Sequence, residues 1–187
     1  MARVRLLKGL EGGPLLWLAE VGARMIYGKS FNQIGAIAHN RSFILPFLQM
    51  SAFSQGKTQL SPQVRAMAMS LAAELNGCGW CMDFGAYQAH KANVPAEKQR
   101  HLLNFADSPT FTEQERVALE YAQTLCSPGA PISAALGQKL RQHFSEQEVV
   151  ELTVAVAAEK FFNTVNGALG IEPQGFAEVA STPRGAR

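Results

Sequence analysis

Two residues of this sequence, Cys78 and Cys81, have the Cys-x-x-Cys spacing that allows thiol chemistry. Asn76-Gly77 stands directly before them and favours the end of one helix, so a new helix is expected to begin at about Cys78. The unpaired backbone N–H groups and the dipole of a first helical turn favour an anion, and a thiolate is an anion. One turn also brings two sulfurs close enough to bridge. The pair therefore predicts reversible thiol redox chemistry, with one nucleophile and one resolving partner.

Two other interpretations of the pair stay open. A zinc site needs about four ligands, usually with a second pair of cysteines or histidines at ligand spacing. The other candidate ligands form no such pair; they are Cys126, His39, His90, His101 and His143. Free cysteines are also commonly buried as small apolar residues. We expect no metal and no cofactor.

The composition predicts a globular protein with a sizeable core. Of its 187 residues, 47% are hydrophobic, and the net charge is only +2. Lysine and arginine are scattered, which argues against a nucleic-acid partner. No window reaches the ~18 uncharged apolar residues of a membrane span, and charges, glycines and Pro14 interrupt the apolar N-terminal stretch. We therefore expect a cytoplasmic protein with no membrane association, in which thiols stay reduced unless they turn over.

Capping signals and helical periodicity predict an all-α chain of about eight or nine helices. The strongest starts are Ser61-Pro62 and the capping boxes that begin at Thr112 and Ser145. No convincing strand pattern appears. The predicted helices are 14–27, 30–39, 42–54, 61–76, 78–92, 95–106, 112–126, 132–143 and 145–168. We predict a single helical domain over residues 1–187, with a frayed tail at 175–187.

Around the cysteine pair, the sequence resembles carboxymuconolactone decarboxylase-like proteins, in the alkylhydroperoxidase D branch. The resemblance covers about residues 25–172 and includes "IGAIAHNRSFILPFLQM", "FTEQERVALEYAQTL" and "HFSEQEVVELTVAVAAEKFFNTVNGALGI". It implies a compact helical fold and a homo-oligomer, often a trimer or hexamer. It also implies that Cys81 attacks a hydroperoxide and becomes a sulfenic acid. Cys78 would then condense with it to a disulfide, which an external dithiol reduces.

The sequence departs from that branch at its proton relay. The peroxidase motif has Glu twelve residues before the first Cys and His four after the second, and Ala66 and Gly85 stand there instead. A thiol needs a base, or surroundings that keep it ionised. Trp80, between the cysteines, could shield the site or line a peroxide pocket. The possible auxiliary residues are Glu74, Asp83, His39 and Trp80.

Three functions remain in comparison. The first is a thiol oxidoreductase that reduces hydroperoxides with a dithiol reductant, as an antioxidant defence. The alternative is a redox sensor or disulfide-forming scaffold without turnover, because the relay is missing. The third, a lactone decarboxylase, is disfavoured because that branch of the family lacks the cysteine pair.

Overall fold

The computed structural model describes residues 1–181, apart from the side chains at 54, 55 and 179–181. This part of the chain is helical and contains no strand, so the predicted all-α class is confirmed. It has ten α-helices rather than eight or nine. They are α1 Pro14–Tyr27, α2 Asn32–Ile37, α3 Ile44–Gln55, α4 Pro62–Leu75, α5 Gly79–Lys91, α6 Ala96–Arg100, α7 Glu113–Cys126, α8 Ala134–His143, α9 Glu146–Leu169 and α10 Phe176–Ser181. None of these described helices is both long enough and apolar enough to cross a membrane.

The two predicted capping boxes start α7 and α9. The Thr112 hydroxyl accepts the backbone N–H of Glu115, and the Glu115 carboxylate accepts the N–H of Thr112 at 2.8 Å. Ser145 and Glu148 make the same reciprocal pair at the start of α9. Two of the otherwise unpaired N–H groups of each helix are thereby satisfied. These caps fix where α7 and α9 begin. Helix α9 is the one that contacts the cysteine pair.

The predicted helix 95–106 is interrupted. The chain forms α6, turns at His101 and continues as a single 3-10 turn, Leu102–Asn104. This turn buries both Leu102 and Phe105 in the core. A continuous helix over 95–106 is therefore wrong in detail, because burial of these two side chains outweighs helical continuity.

The C-terminal tail is ordered further than predicted. Residues 176–181 form α10, and Phe176 is fully buried. The Asp83 carboxylate accepts the backbone N–H groups of Gln174 at 2.8 Å and Ala177 at 3.0 Å, so it holds the entry to α10 against α5. Fraying from residue 175 is therefore wrong for the start of the tail. Residues 182–187, the rest of the predicted frayed tail, lie outside the described part of the chain.

The buried apolar side chains form two clusters that share three helices. One cluster lies mainly between α4, α7, α8 and the first half of α9. The other lies between the N-terminal segment, α2, α5, the second half of α9 and α10. Helices α4, α5 and α9 contribute to both clusters, and the cysteine pair lies in the second. The single-domain organisation stays a prediction. The three shared helices position the cysteine pair.

Candidate redox site

Cys78 and Cys81 form a disulfide at the start of α5, with Cα atoms 5.2 Å apart. Helix α4 ends at Leu75, and Gly77 turns the chain with a φ of +65°, which glycine adopts without strain. Cys78 is the N-cap of α5, and its Sγ accepts the backbone N–H of Cys81 at 3.3 Å. The predicted helix start is confirmed, with Cys78 as the cap rather than inside the first turn. The N-terminal N–H groups and dipole of α5 therefore act on both sulfurs.

The second contact to the sulfurs comes from α9. Asn166 is 1% exposed, and its Nδ2 donates to Cys81 Sγ at 3.3 Å. A side-chain amide donor at this distance stabilises a thiolate on Cys81 once the disulfide is reduced. The Asn166 Oδ1 atom has no hydrogen-bond partner among the described residues. The sequence analysis missed this residue.

A small cavity of about 20 Å³ lies against Cys81. Its walls include Cys81 and Trp80 from α5, Gln33 from α2, and Glu159 from α9. A cavity of this size holds about one water molecule or the end of a small substrate. Trp80 is buried, its indole stacks on Phe84, and its Nε1 donates to Gln174 Oε1 at 2.9 Å. Trp80 is thus both a packing residue and a wall of the cavity.

Glu159 is a buried carboxyl on the same face of α9 as Asn166. Its Oε1 accepts the Nδ2 of Asn163 at 2.7 Å. Burial raises the pKa of Glu159 to about 7, although the hydrogen bond from Asn163 lowers it in part. Glu159, Asn163 and Asn166 have i, i+4 and i+7 spacing, which puts them on one stripe of a helix. The i, i+4, i+7 spacing of these three polar residues was the signal in the sequence that could have found them.

The other predicted auxiliary residues do not line this cavity. Glu74 is exposed at the end of α4. His39 is exposed, and its Nε2 lies 2.8 Å from the Arg5 carbonyl oxygen. Asp83 faces the C-terminal tail. Burial alone would raise the pKa of its carboxyl, but hydrogen bonds from the backbone N–H groups of residues 174–177 together have the larger effect and lower it. The structure therefore brings Trp80 to the cysteines and leaves these three residues elsewhere.

Ala66 and Gly85, which occupy the two positions of the missing relay, lie in different surroundings. Ala66 lines a wider groove of about 410 Å³ next to the cavity, with Met69 and Gln88 common to both walls. A Cβ atom at Gly85 would lie 3.2 Å from the Ser70 hydroxyl. A side chain at position 85 would therefore need Ser70 to shift.

Within residues 1–181, no group of three or more His, Cys, Asp or Glu side chains is placed to hold a metal ion. Cys126 is free, half-buried and separate from the pair, and burial raises the pKa of its thiol. The chemistry available at the site is thus that of two thiols, one carboxyl and the amides around them.

Comparison with known proteins agrees with this arrangement. Residues 47–124 match the carboxymuconolactone decarboxylase family. The chain is 26% identical to the uncharacterized protein YnjA of Escherichia coli over 137 residues, 73% of this chain and 75% of YnjA. A crystal structure of an uncharacterized peroxidase-related protein from Ralstonia eutropha, an alkylhydroperoxidase AhpD core, matches with a TM-score of 0.86 and 15% identity over 98% of both chains. The debrominase Bmp8, solved with 2,3,4-tribromopyrrole, matches with a TM-score of 0.78 and 20% identity over 96% of this chain and 97% of Bmp8. The resemblance stated from the sequence is therefore confirmed: the protein has the helical fold of alkylhydroperoxidase D-like proteins, and its residues 47–124 match the carboxymuconolactone decarboxylase family.

Proposed function

We propose that the protein is a dithiol oxidoreductase that reduces hydroperoxides by cycling Cys78 and Cys81 between thiols and a disulfide. The observation that carries this proposal is the position of Cys81, which is bonded to Cys78 and also lines a cavity beside a buried carboxyl. A structural disulfide needs no such cavity. The family and fold support an antioxidant role in general, and the hydroperoxide is our inference from the site.

The cycle balances with one hydroperoxide and one dithiol. The Cys81 thiolate attacks the terminal oxygen of ROOH, the O–O bond breaks, and the alkoxide takes up a proton to leave as ROH. Cys81 is then a sulfenic acid. Cys78 attacks its sulfur, water leaves, and the disulfide forms. An external dithiol reduces this disulfide by exchange and becomes a disulfide itself.

Cys81 is the better candidate for the attacking residue. It lines the cavity and receives the amide of Asn166, whereas Cys78 caps α5 and is not among the cavity walls. The N–H group of Cys81 that donates to Cys78 stabilises Cys78 as a thiolate, the form that it must take to resolve the sulfenic acid. The two sulfurs therefore have different surroundings that match different roles.

The cavity also favours a small reacting group. A tribromopyrrole ring, the ligand of Bmp8, exceeds a space of about 20 Å³, whereas a hydroperoxide end fits there. Met69 and Gln88 separate the cavity from the wider groove, which also has Tyr27, Arg65 and Lys91 in its walls. A movement of the half-buried Gln88 side chain would connect the two spaces and let the rest of an organic hydroperoxide lie in the groove.

The test is consumption of hydrogen peroxide and of cumene hydroperoxide with a dithiol reductant. Replacement of the attacking thiol, Cys81→Ser, should remove turnover, and Cys126→Ser is the matched control that keeps it. Equal rates in wild type and Cys81→Ser would contradict the proposal.

A redox-sensing scaffold is the second candidate function. Both cysteines are only 4% exposed, which favours slow exchange with an external reductant. This alternative predicts that the disulfide forms when one equivalent of oxidant is added. It also predicts negligible steady-state consumption of either hydroperoxide. The same assay, run as a single oxidation and then at steady state, separates the two functions.

A further inference from the structure

We propose that Glu159 is the acid–base residue of the site: it takes the proton of the Cys81 thiol across the small cavity and returns it to the departing oxygen. The inference rests on the thiol chemistry proposed above and assigns a residue that the sequence motif does not contain. It comes from α9, whereas the two relay positions of the motif are in α4 and α5.

The first argument is the shared cavity. Glu159 and Cys81 both line the space of about 20 Å³, so a single water or a hydroperoxide end bound there would lie next to both residues. Gln33, 3% exposed, lines the same space, and its Oε1 has no hydrogen-bond partner in the described part of the chain. A buried acceptor without a donor favours a molecule with an O–H group in this cavity.

The second argument is the polar stripe on α9. It begins at Glu159, which Asn163 contacts, and ends at Asn166, which contacts Cys81 Sγ. Asn163 and Asn166 are 5% and 1% exposed, and the Oδ1 of each lacks a hydrogen-bond partner among the residues that the structure describes. Three buried polar side chains on the part of α9 that faces α5 are costly to retain for packing alone. A proton-transfer role accounts for their positions.

The third argument is the absence of a charged neighbour in the cavity walls. The cavity walls come from the segment before α2 and from α2, α3, α4, α5 and α9. Among the lining residues, Glu159 and the reduced Cys81 are the groups that titrate near neutral pH. Asp83 on α5 is engaged by the tail, and the ammonium of Lys160, the next residue on α9, donates to the Leu125 carbonyl oxygen. The Cys126 thiol at the end of α7 interacts electrostatically with Glu159 but lies outside the cavity walls. No cation among the lining residues holds Glu159 in its ionised form. Its raised pKa of about 7 suits a group that both takes and gives a proton at neutral pH.

The proposed steps balance in protons. Ionised Glu159 accepts the proton of the Cys81 thiol, directly or through one water, which leaves a thiolate and a neutral carboxyl. The thiolate attacks the hydroperoxide and the O–O bond breaks. Neutral Glu159 gives its proton to the alkoxide, so ROH leaves and the carboxylate is restored. No further oxidant or reductant enters this half of the cycle.

The test compares the wild type with Glu159→Gln, which keeps the side-chain shape and can still accept the Asn163 amide. Glu20→Gln is the matched control, because Glu20 is a buried carboxyl on α1 outside the cavity. The first measurement is the alkylation rate of Cys81 by iodoacetamide in the reduced protein from pH 5 to 9, with Cys78 and Cys126 resolved by mass spectrometry. This readout needs no peroxidase activity. The second is the single-turnover oxidation rate with hydrogen peroxide.

We expect the wild-type alkylation profile to show an inflection near pH 7 that Glu159→Gln removes and Glu20→Gln retains. The peroxide step should slow by about 10²-fold or more in Glu159→Gln, the usual contribution of a general acid–base group. An unchanged alkylation profile in Glu159→Gln overturns the role of Glu159. A wild type that shows the inflection but consumes no hydroperoxide instead overturns the proposed function and leaves the proton acceptor identified. If Glu159→Gln does not fold, the infrared carbonyl band of the neutral carboxyl in wild-type protein decides: its absence below pH 6 refutes the proposal.

Discussion

Replacement of Glu159 by Gln should stabilise the protein at alkaline pH, and the size of the gain follows from burial. The wild-type carboxyl is buried on α9, and burial makes its ionisation costly. The amide in Glu159→Gln carries no charge at any pH, while it fills the same space and keeps an oxygen for Asn163. The comparison therefore isolates the free energy of charging one buried carboxyl.

The sign and the magnitude come from the pKa values in the two states. Burial raises the pKa of Glu159 from 4.5 to about 7. Below pH 4.5 the carboxyl is neutral in the folded and unfolded chains, so pH has no effect on their difference. As the pH rises through 4.5 to 7 the unfolded chain loses the proton first, and the wild type loses about 3 kcal/mol of its free energy of unfolding. Above pH 7 the loss is complete.

The assay is urea unfolding of the disulfide-bonded wild type, Glu159→Gln and Glu20→Gln between pH 4 and 8.5. The free energy of unfolding of Glu159→Gln minus that of wild type should rise by about 3 kcal/mol over this range, irrespective of any constant cost of the amide. Glu20→Gln controls for the replacement of a buried carboxyl outside the cavity. A difference between Glu159→Gln and wild type that does not change with pH would refute the reasoning, because it would mean that Glu159 ionises in the fold as easily as in water.

Three further predictions concern other parts of the structure. Loss of the amide donor in Asn166→Ala should raise the pKa of the Cys81 thiol and slow its alkylation at pH 7 by about tenfold, since a hydrogen bond to a charged group contributes about 1.5–3 kcal/mol; an unchanged rate would contradict the contact. Asp83→Asn should cost about 1–3 kcal/mol in unfolding free energy at neutral pH, and because the pKa of Asp83 is lowered in the fold, the difference should vanish as the pH falls below 3.8. We also propose a homo-oligomer that covers the apolar groove of about 730 Å³ containing Phe43, Met50 and Phe161; light scattering should show a smaller species for Phe161→Glu, and a monomeric wild type would exclude the assembly.

The parts of the fold that could be predicted from sequence are those that local chemistry decides. The capping boxes at Thr112 and Ser145 give the starts of α7 and α9, because the side chain and the N–H group that it satisfies are three residues apart. The same holds for the cysteine pair, since Asn76-Gly77 ends α4 and leaves Cys78 as a cap. A single turn of helix is enough to bring its two sulfurs together.

The rest depends on contacts between residues far apart in the chain. The sequence predicts Asp83 as a possible auxiliary residue of the cysteine pair, but its carboxylate instead accepts the N–H of Ala177 in α10, some ninety positions away. Glu159 lies seventy-eight positions after Cys81, and no local rule indicates that α9 turns its polar stripe toward α5. The polar stripe itself is visible as Glu159, Asn163 and Asn166, yet only the packing of α9 shows which helix it faces.

The position of Trp80 makes its fluorescence a reporter of the oxidation state of the cysteine pair. This indole sits between the two cysteines in sequence, is 3% exposed and stacks on Phe84, whereas the second tryptophan, Trp17, is 46% exposed on α1. Disulfides quench the emission of adjacent indoles, so reduction of the pair should brighten the blue, solvent-shielded part of the spectrum and leave the red part from Trp17 unchanged. Reduction of the Cys78–Cys81 disulfide can thus be followed by the fluorescence of the unlabelled protein, without any substrate being known.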